Sequence, residues 1–301
     1  MVQSPILLFV GCATLDSIAS VGEFPSADSR TIAAEFITAG GGPAATAAVT
    51  AARLGARTAF AGVIGNDEEG DRILAGLAAE GVDISCVVRS STRASGASLI
   101  IVSDGGASRA IVTRPVPPLE FASHDVFRAT VESAAWVHVD HLGWSAVRAL
   151  QSGIRLSVDA GNPIPDFDPS GVALYVPTIE RLRAEFGTRL SEPELVQTAI
   201  DRGARAVVAT DGANGAWVHN GTGSVAHVPS VPTRIVSTLG AGDVFHGAIL
   251  AAVAAGQDLM DAVALANQVA AESCTGLDGR SKIPRQYLTV NPAPPCPVHT
   301  E

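Results

Sequence analysis

Residues 237 to 247 read Ser-Thr-Leu-Gly-Ala-Gly-Asp-Val-Phe-His-Gly and open an apolar run that continues to Ala255. Gly240 and Gly242 lack a Cβ, so the backbone there can turn sharply and come close to a ligand. From Ala241 to Ala255 the chain is rich in Ala, Val, Ile and Leu and has no proline, the pattern of a buried helix. A glycine turn feeding a helix N-terminus aims the free N–H groups around Gly240, Ala241 and Gly242 at one spot, with the positive dipole end behind them. That makes an anion site. Asp243 beside it would repel a phosphate unless it collects a proton. Phosphoryl transfer to a hydroxyl wants this pair: a carboxylate takes the alcohol proton while N–H groups hold the charged phosphoryl oxygens. Standing alone, Gly-x-Gly-Asp reads more simply as an aspartate capping an ordinary helix.

The stretch does not stand alone. Far earlier in the chain comes Gly41-Gly42-Pro43-Ala44-Ala45-Thr46, running on to Ala52-Arg53-Leu54-Gly55. The two stretches resemble, in order and separation, the C-terminal and N-terminal glycine motifs of the ribokinase/PfkB family of carbohydrate kinases. The resemblance extends over nearly the whole chain. It implies an α/β fold, a ribokinase-like three-layer sandwich with a mainly parallel central sheet and a small β lid. The expected organisation is one domain over residues 1–301, with lid strands from about 12–39 and 95–114.

Residue by residue, the resemblance makes Asp243 the catalytic base and Gly240, Ala241 and Gly242 the anion hole. Asp16 follows the apolar run Ile6 to Val10, in the place beyond a strand end where ligands of open α/β sheets sit. Position alone makes it as readily a turn residue; the resemblance makes it the clamp on two sugar hydroxyls. Gly41, Gly42 and Thr46 then fall on the acceptor, Thr210 and Gly212 on the ATP phosphates, and Asn267 on the adenine side. The loop from Thr275 to Arg280 would close the nucleotide pocket.

Three positions depart from the family pattern. Thr46 stands where Asn is usual, and Ser237 where Asp is usual. Pro177-Thr178-Ile179-Glu180-Arg181 places a glutamate one position short of the one that orders the magnesium-bound waters. Glu180 is therefore either an indirect Mg2+ contact or a surface charge. The resemblance also leaves open a monovalent cation, such as K+, held by carbonyls of the Thr275–Arg280 loop and of residues 237–239. Lys282 would reach that site or remain a solvated surface lysine.

Composition narrows the class. Hydrophobic residues make up 47% and charged ones 17%, as in a well-buried globular chain. The net charge of −10 argues against nucleic acid, but local N–H groups can still hold a phosphate. Cys12, Cys86, Cys274 and Cys296 show no metal-ligand spacing and read as reduced thiols. His138 and His141 flank Asp140, and residues 138 and 140 share a strand face, yet a metal there is the weaker reading. The N-terminus lacks the basic start of a signal peptide, and no apolar run reaches the roughly 20 residues of a membrane span. The expectation is a soluble, cytoplasmic protein.

The elements that must position these residues follow from periodicity. Thr58 to Ile64 reads as a buried strand, and Glu68 to Glu80 as an amphipathic helix. Ala97 to Val102 and Arg109 to Thr113 read as a hairpin around Ser103-Asp104-Gly105-Gly106. With strands from residues 17 to 39 it would form the lid, whose exposed edge a homodimer would cover. From Trp136 onward, strands (136–139, 154–158, 174–176, 206–209) alternate with helices (145–151 among them), the mark of a parallel sheet with crossovers. Asp258 to Cys274 gives a last helix, and a proline-rich tail follows from Pro292. The implied activity is ATP-dependent transfer of a phosphoryl group to a primary hydroxyl of a small sugar. Gly-Gly-Gly-Pro-Ala-Ala-Thr and Cys-Thr-x-x-x-Gly-Arg lean towards the sulfofructose kinase branch. An anionic acceptor would suit arginines from the lid, namely Arg30, Arg109 and Arg114. The alternatives are a nucleoside kinase and an inactive sugar-binding regulator.

Overall fold

The structure, a computed structural model, describes residues 5–103, 108–121, 125–150, 153–285 and 288. The tip of the 97–114 hairpin, Gln151, Cys296 and the proline-rich tail lie outside the described residues. Among them the chain forms β1 (Ile6–Val10), β2 (Thr14–Ser20), β3 (Glu35–Gly41), α1 (Pro43–Arg53), β4 (Arg57–Ala61), β5 (Val63–Gly65), α2 (Glu68–Ala79), β6 (Val88–Ser90), β7 (Gly96–Val102) and β8 (Arg109–Arg114). Then come α3 (Asp125–Ser133), β9 (Trp136–Val139), α4 (Gly143–Val147), β10 (Leu156–Ala160), β11 (Leu174–Pro177), α5 (Ile179–Phe186), α6 (Glu192–Asp201), β12 (Val207–Thr210), β13 (Ala216–His219), β14 (Ala226–Val228), α7 (Ala241–Ala254) and α8 (Leu259–Ser273).

An eight-stranded sheet runs in the order β14-β13-β12-β11-β10-β9-β1-β4. It is parallel from β12 to β4, with β13 and β14 added antiparallel at one edge. Successive side chains of a strand point to opposite faces, and the buried residues divide accordingly. Leu7 and Phe9 enter one core with the apolar faces of α1, α7 and α8, whereas Leu8 and Val10 enter the other with residues of α3, α5 and α6. This is the three-layer sandwich expected from the sequence.

Helices α1 and α7 touch through their backbones. Gly247 faces the Ala47 carbonyl so closely that any Cβ there would overlap it. That contact sets the start of α1 beside the start of α7, which brings the two glycine motifs together.

The lid is a four-stranded sheet, β3-β2-β7-β8, antiparallel except for the β2–β7 pair. Ile18, Ile100 and Val102 pack inward on Leu277, while Phe36, Leu99 and Val112 stay exposed. Asp16 and Gly41 therefore lie in strands that the lid shares with the cavity wall.

Several boundaries differ from the sequence expectation. The strand expected over 58–64 breaks at Gly62, whose Cα is pressed between the Phe60 ring and the Gly11 carbonyl, and β5 pairs with β6 in a separate ribbon. The helix expected over 145–151 is the short α4, followed by a 3-10 turn over Arg148–Leu150. Strand β10 lies two residues later than the pattern suggested, and β13 and β14 gave no readable pattern.

Candidate active site

Gly240 takes a left-handed backbone conformation (φ 72°) as the N-cap of α7, where a Cβ would meet the Cα of Gly279 at 3.0 Å. The first N–H groups of a helix have no intrahelical partner, and Gly242 presents an open face. Asp243 sits in this first turn. Burial pushes its carboxyl up to about 7, helped by the Asp159 and Asp140 charges, while His246 and Arg280 pull it down. A carboxylate titrating near neutrality is matched to proton abstraction.

Across the cavity stands Asp16, 7% exposed in β2. Burial raises its pKa, and the hydroxyls of Thr14 and Ser98 and the charge of Arg280 oppose the rise. Its Oδ1 is buried and has no hydrogen-bond partner among the described residues. Gly41 lies against this carboxylate so tightly that a Cβ would overlap it, and Gly42, at φ 88°, lies over the Cys12 carbonyl. One cavity of about 450 Å³ is lined by Asp16, Gly41, Gly42, Thr46, Gly240 and Asp243. Acceptor and base residues from both glycine motifs therefore face a single space.

Asp140 is the residue whose role the sequence did not show. Its Oδ2 accepts from Cys12 N–H (2.6 Å) and Ala44 N–H (3.4 Å), and its Oδ1 from Leu142 and Gly143 N–H (2.9 Å each). It joins the end of β1 to the starts of α1 and α4, so its oxygens are fully engaged. The histidine–aspartate pair in the structure is a different one from His138 and Asp140: His246 Nε2 lies 3.2 Å from Asp159 Oδ1, with both side chains buried. Asp159 is held down at about 2: the His246 charge and hydrogen bond overcome a burial effect that acts the other way. His138 packs beside them, its Nδ1 3.1 Å from Ser157 Oγ, and burial first, then the charge of His246, lowers it to about 3. These side chains could gather round one ion, and His246 Nδ1 and His138 Nε2 are buried without a hydrogen-bond partner among the described residues.

The nucleotide-side candidates lie outside this cavity lining. Thr210 ends β12 and bridges to Thr178, and Gly212 follows with φ 53° and open space over its Cα. Glu180 is exposed in the first turn of α5, which Thr178 caps by accepting from Arg181 N–H (3.0 Å). Asn267 is 8% exposed and spends its amide on the carbonyls of Val228 (3.3 Å) and Pro229 (2.9 Å). It thereby fixes the strand end leading towards residues 230–240. Ser237 N–H donates to the Cys274 carbonyl (3.1 Å), which sets residues 237–239 beside the loop after α8, and Lys282 is exposed.

The lid arginines do not line the cavity. Arg114 is tied to the Ser95 carbonyl (2.8 Å) and to Glu69 (3.1 Å), Arg109 donates to Thr238 Oγ1 (3.0 Å), and Arg30 is exposed. The arginine at the acceptor side is Arg280, expected at the nucleotide pocket: its Nη2 donates to the Gly41 carbonyl at 2.9 Å.

Comparison with known proteins gives a consistent picture. The model of the pfkB family carbohydrate kinases matches residues 7–159 and 168–286. Ketohexokinase of Mus musculus is 26% identical over 300 residues, covering 91% of this chain and 97% of its own length. Ribokinase of Mus musculus is 27% identical over 263 residues, covering 82% of this chain and 81% of its own. The structure of Arabidopsis thaliana ribokinase complexed with ribose and ATP superposes with a TM-score of 0.79 at 21% identity, over 94% of this chain and 96% of that one.

Proposed function

The chain belongs to the pfkB family of carbohydrate kinases, and on that footing we propose that it moves the γ-phosphoryl group of ATP to a primary hydroxyl of a small sugar or sugar derivative. The observation that carries this reading is the placement of Asp243 and Asp16 on one cavity, with the α7 N-terminus at its edge. Asp16 accepts a hydrogen bond from the acceptor and turns a second hydroxyl towards Asp243. As that oxygen attacks the γ-phosphorus, its proton passes to the Asp243 carboxylate. The new O–P bond forms as the bridging bond to the β-phosphate breaks, and ADP departs. The N–H groups of Gly240, Ala241 and Gly242 hold the charge on the transferring oxygens.

Thr210, Gly212 and Asn267 frame the nucleotide side in this reading, Asn267 through the backbone it fixes. Mg2+ bound with the nucleotide would neutralise phosphate charge, and the exposed carboxylate of Glu180, beside the Thr178–Thr210 bridge, is a hard oxygen ligand suited to its water shell. The carbonyls of residues 237–239 and of the loop after α8 would hold K+. The exposed Leu99 and Val112, opposite each other on the lid, and Phe36 would be covered in a homodimer.

The test is ADP release over a panel of neutral sugars, sulfofructose and nucleosides, with Mg2+ present or absent and K+ exchanged for Na+. Sugar-dependent release that needs Mg2+ is expected. Release with nucleosides alone, or with nothing, would overturn the reading. Light scattering of the same preparation reports the dimer.

A further inference from the structure

Arg280 leaves the loop after α8 and crosses to the start of α1. Its Nε donates to Thr46 Oγ1 at 3.1 Å and its Nη2 to the Gly41 carbonyl at 2.9 Å. The loop behind it is held on two sides. Asp278 Oδ1 accepts from Arg280 N–H at 3.0 Å, and the guanidinium of Arg53 donates to the Arg280 carbonyl. Nη1 lies against the bare Cα of Gly40, where a Cβ would overlap it. A guanidinium has five N–H donors, and among the described residues Nη1 has no hydrogen-bond partner. On the other side of Gly41, the Asp16 carboxylate lies against the bare Cα through Oδ2, and Asp16 lines the same cavity. An unspent donor, lying against the cavity-lining Gly40, and the Asp16 carboxylate thus flank Gly41.

We propose that Arg280 is an acceptor-binding, specificity-determining residue, whose Nη1 donates to an oxygen of the acceptor next to the hydroxyl that Asp16 accepts from. The inference rests on the sugar-kinase reading and names what its acceptor end recognises: two neighbouring oxygens on a neutral polyhydroxyl chain. Charge decides the word neutral. Asp16, Asp243 and Asp278 all act on the guanidinium, and burial lowers its pKa only to about 10, so the arginine stays charged. Its charge is already outnumbered by these carboxylates, and an anionic group brought to this corner would be repelled. The short Thr46 side chain, in place of the Asn that resemblance to the family led us to expect, anchors the guanidinium and leaves the acceptor contact to it.

The test pairs side-chain and substrate deletions. D-Fructose, D-ribose and their monodeoxy analogues are assayed with the wild type, Arg280→Met and Arg280→Lys, alongside KM for ATP and the melting temperature. A hydrogen bond to a charged group is worth about a 10- to 100-fold effect. Arg280→Met should raise the sugar KM by about that factor and leave the ATP KM unchanged. One deoxy analogue should cost the wild type about the same factor and cost the Met variant nothing further. Arg280→Lys keeps the charge and should fall between the two. Equal losses for every analogue in wild type and Met variant, with a shared drop in melting temperature, would show a purely structural arginine and overturn the inference. A wild type that phosphorylates no sugar would sink the sugar-kinase reading and the inference with it. A wild type active on sugars with an unchanged Arg280→Met would sink the inference alone.

Discussion

The two sides of the catalytic centre are built to different tolerances. On the acceptor side, Gly40, Gly41 and Gly42 are each pressed against a neighbour: the Arg280 guanidinium, the Asp16 carboxylate and the Cys12 carbonyl. On the phosphate and nucleotide side, Gly240 and Gly279 press on each other, while Gly212 and Gly242 have nothing within 4 Å of the place a Cβ would take, and Glu180 is exposed. The acceptor wall is therefore shaped before any ligand arrives, and little reorganisation is left for binding. The nucleotide side offers backbone groups along an open groove. A kinase built this way would choose its acceptor strictly and take its phosphoryl donor largely through features common to nucleotides.

Substitutions can break that contrast or sharpen it. The largest effect is expected at the seam, with Asp243→Asn. Asparagine keeps the size and can still cap α7, yet it cannot accept the hydroxyl proton. Turnover should fall at least about a hundredfold, in keeping with general-base contributions. ATP affinity measured by calorimetry should hold, and near-normal turnover would refute the role given to this residue.

Next comes Gly41→Ala, which must displace the Asp16 carboxylate. It should lower kcat/KM for the sugar by roughly 10- to 100-fold, the worth of a hydrogen bond to a charged group, with the KM for ATP unchanged. If both KM values rise alike, the two sides are not independently shaped.

The pH profile tests the charges behind the seam. With Asp243 pushed up to about 7, kcat/KM should fall as pH drops through that value, because the protonated acid cannot take a proton. His246 pulls this pKa down, so His246→Gln should move the acidic limb upward. Asp159, held down at about 2, contributes stability that is complete above its unfolded pKa and is lost only as pH falls towards 2. Unfolding midpoints should therefore show no loss from Asp159 between pH 5 and neutrality, whereas the contribution of His246, whose pKa Asp159 raises against the effect of burial, is complete below its unfolded pKa and is lost as pH rises through the folded one. An acidic limb that ignores His246→Gln would separate the pair from the base.

The smallest effect is expected from Glu180→Gln. Exposed positions away from special features change energies by about 0.5 kcal/mol or less, so turnover at saturating Mg2+ should stay within about threefold. Only the Mg2+ concentration for half activity should rise. An effect as large as that at Gly41 would mean the nucleotide side is as finely set as the acceptor side.

Much of the framework was legible because its signals are local. The two glycine motifs, the buried run after Ala241 and the lid hairpin each declare themselves within a few residues. What stayed hidden depends on partners far away in the chain. Asp140 reads as a strand-end acid until Cys12 and Ala44 come within reach of it. Arg280 reads as part of a nucleotide loop until its side chain is followed to Thr46. Arg114 reads as a free lid cation because Glu69 belongs to α2, well before it in the sequence. The break at Gly62 has the same origin, since the apolar run is continuous and only packing on Phe60 interrupts it. Strands β13 and β14 are four and three residues long, too short for an alternation to show.

The contact between Gly247 and the Ala47 carbonyl has a mechanical consequence. Because α7 meets α1 through a glycine pressed on the Ala47 carbonyl and the Thr50 side chain, the shelf that receives the acceptor and the helix that carries the base pack as one block. The spacing from Thr46 to Asp243 cannot change without unpacking the core. Adapting such an enzyme to a longer or shorter acceptor is then a matter of rebuilding its cover and its one crossing arginine, while the jaw itself keeps a fixed gauge.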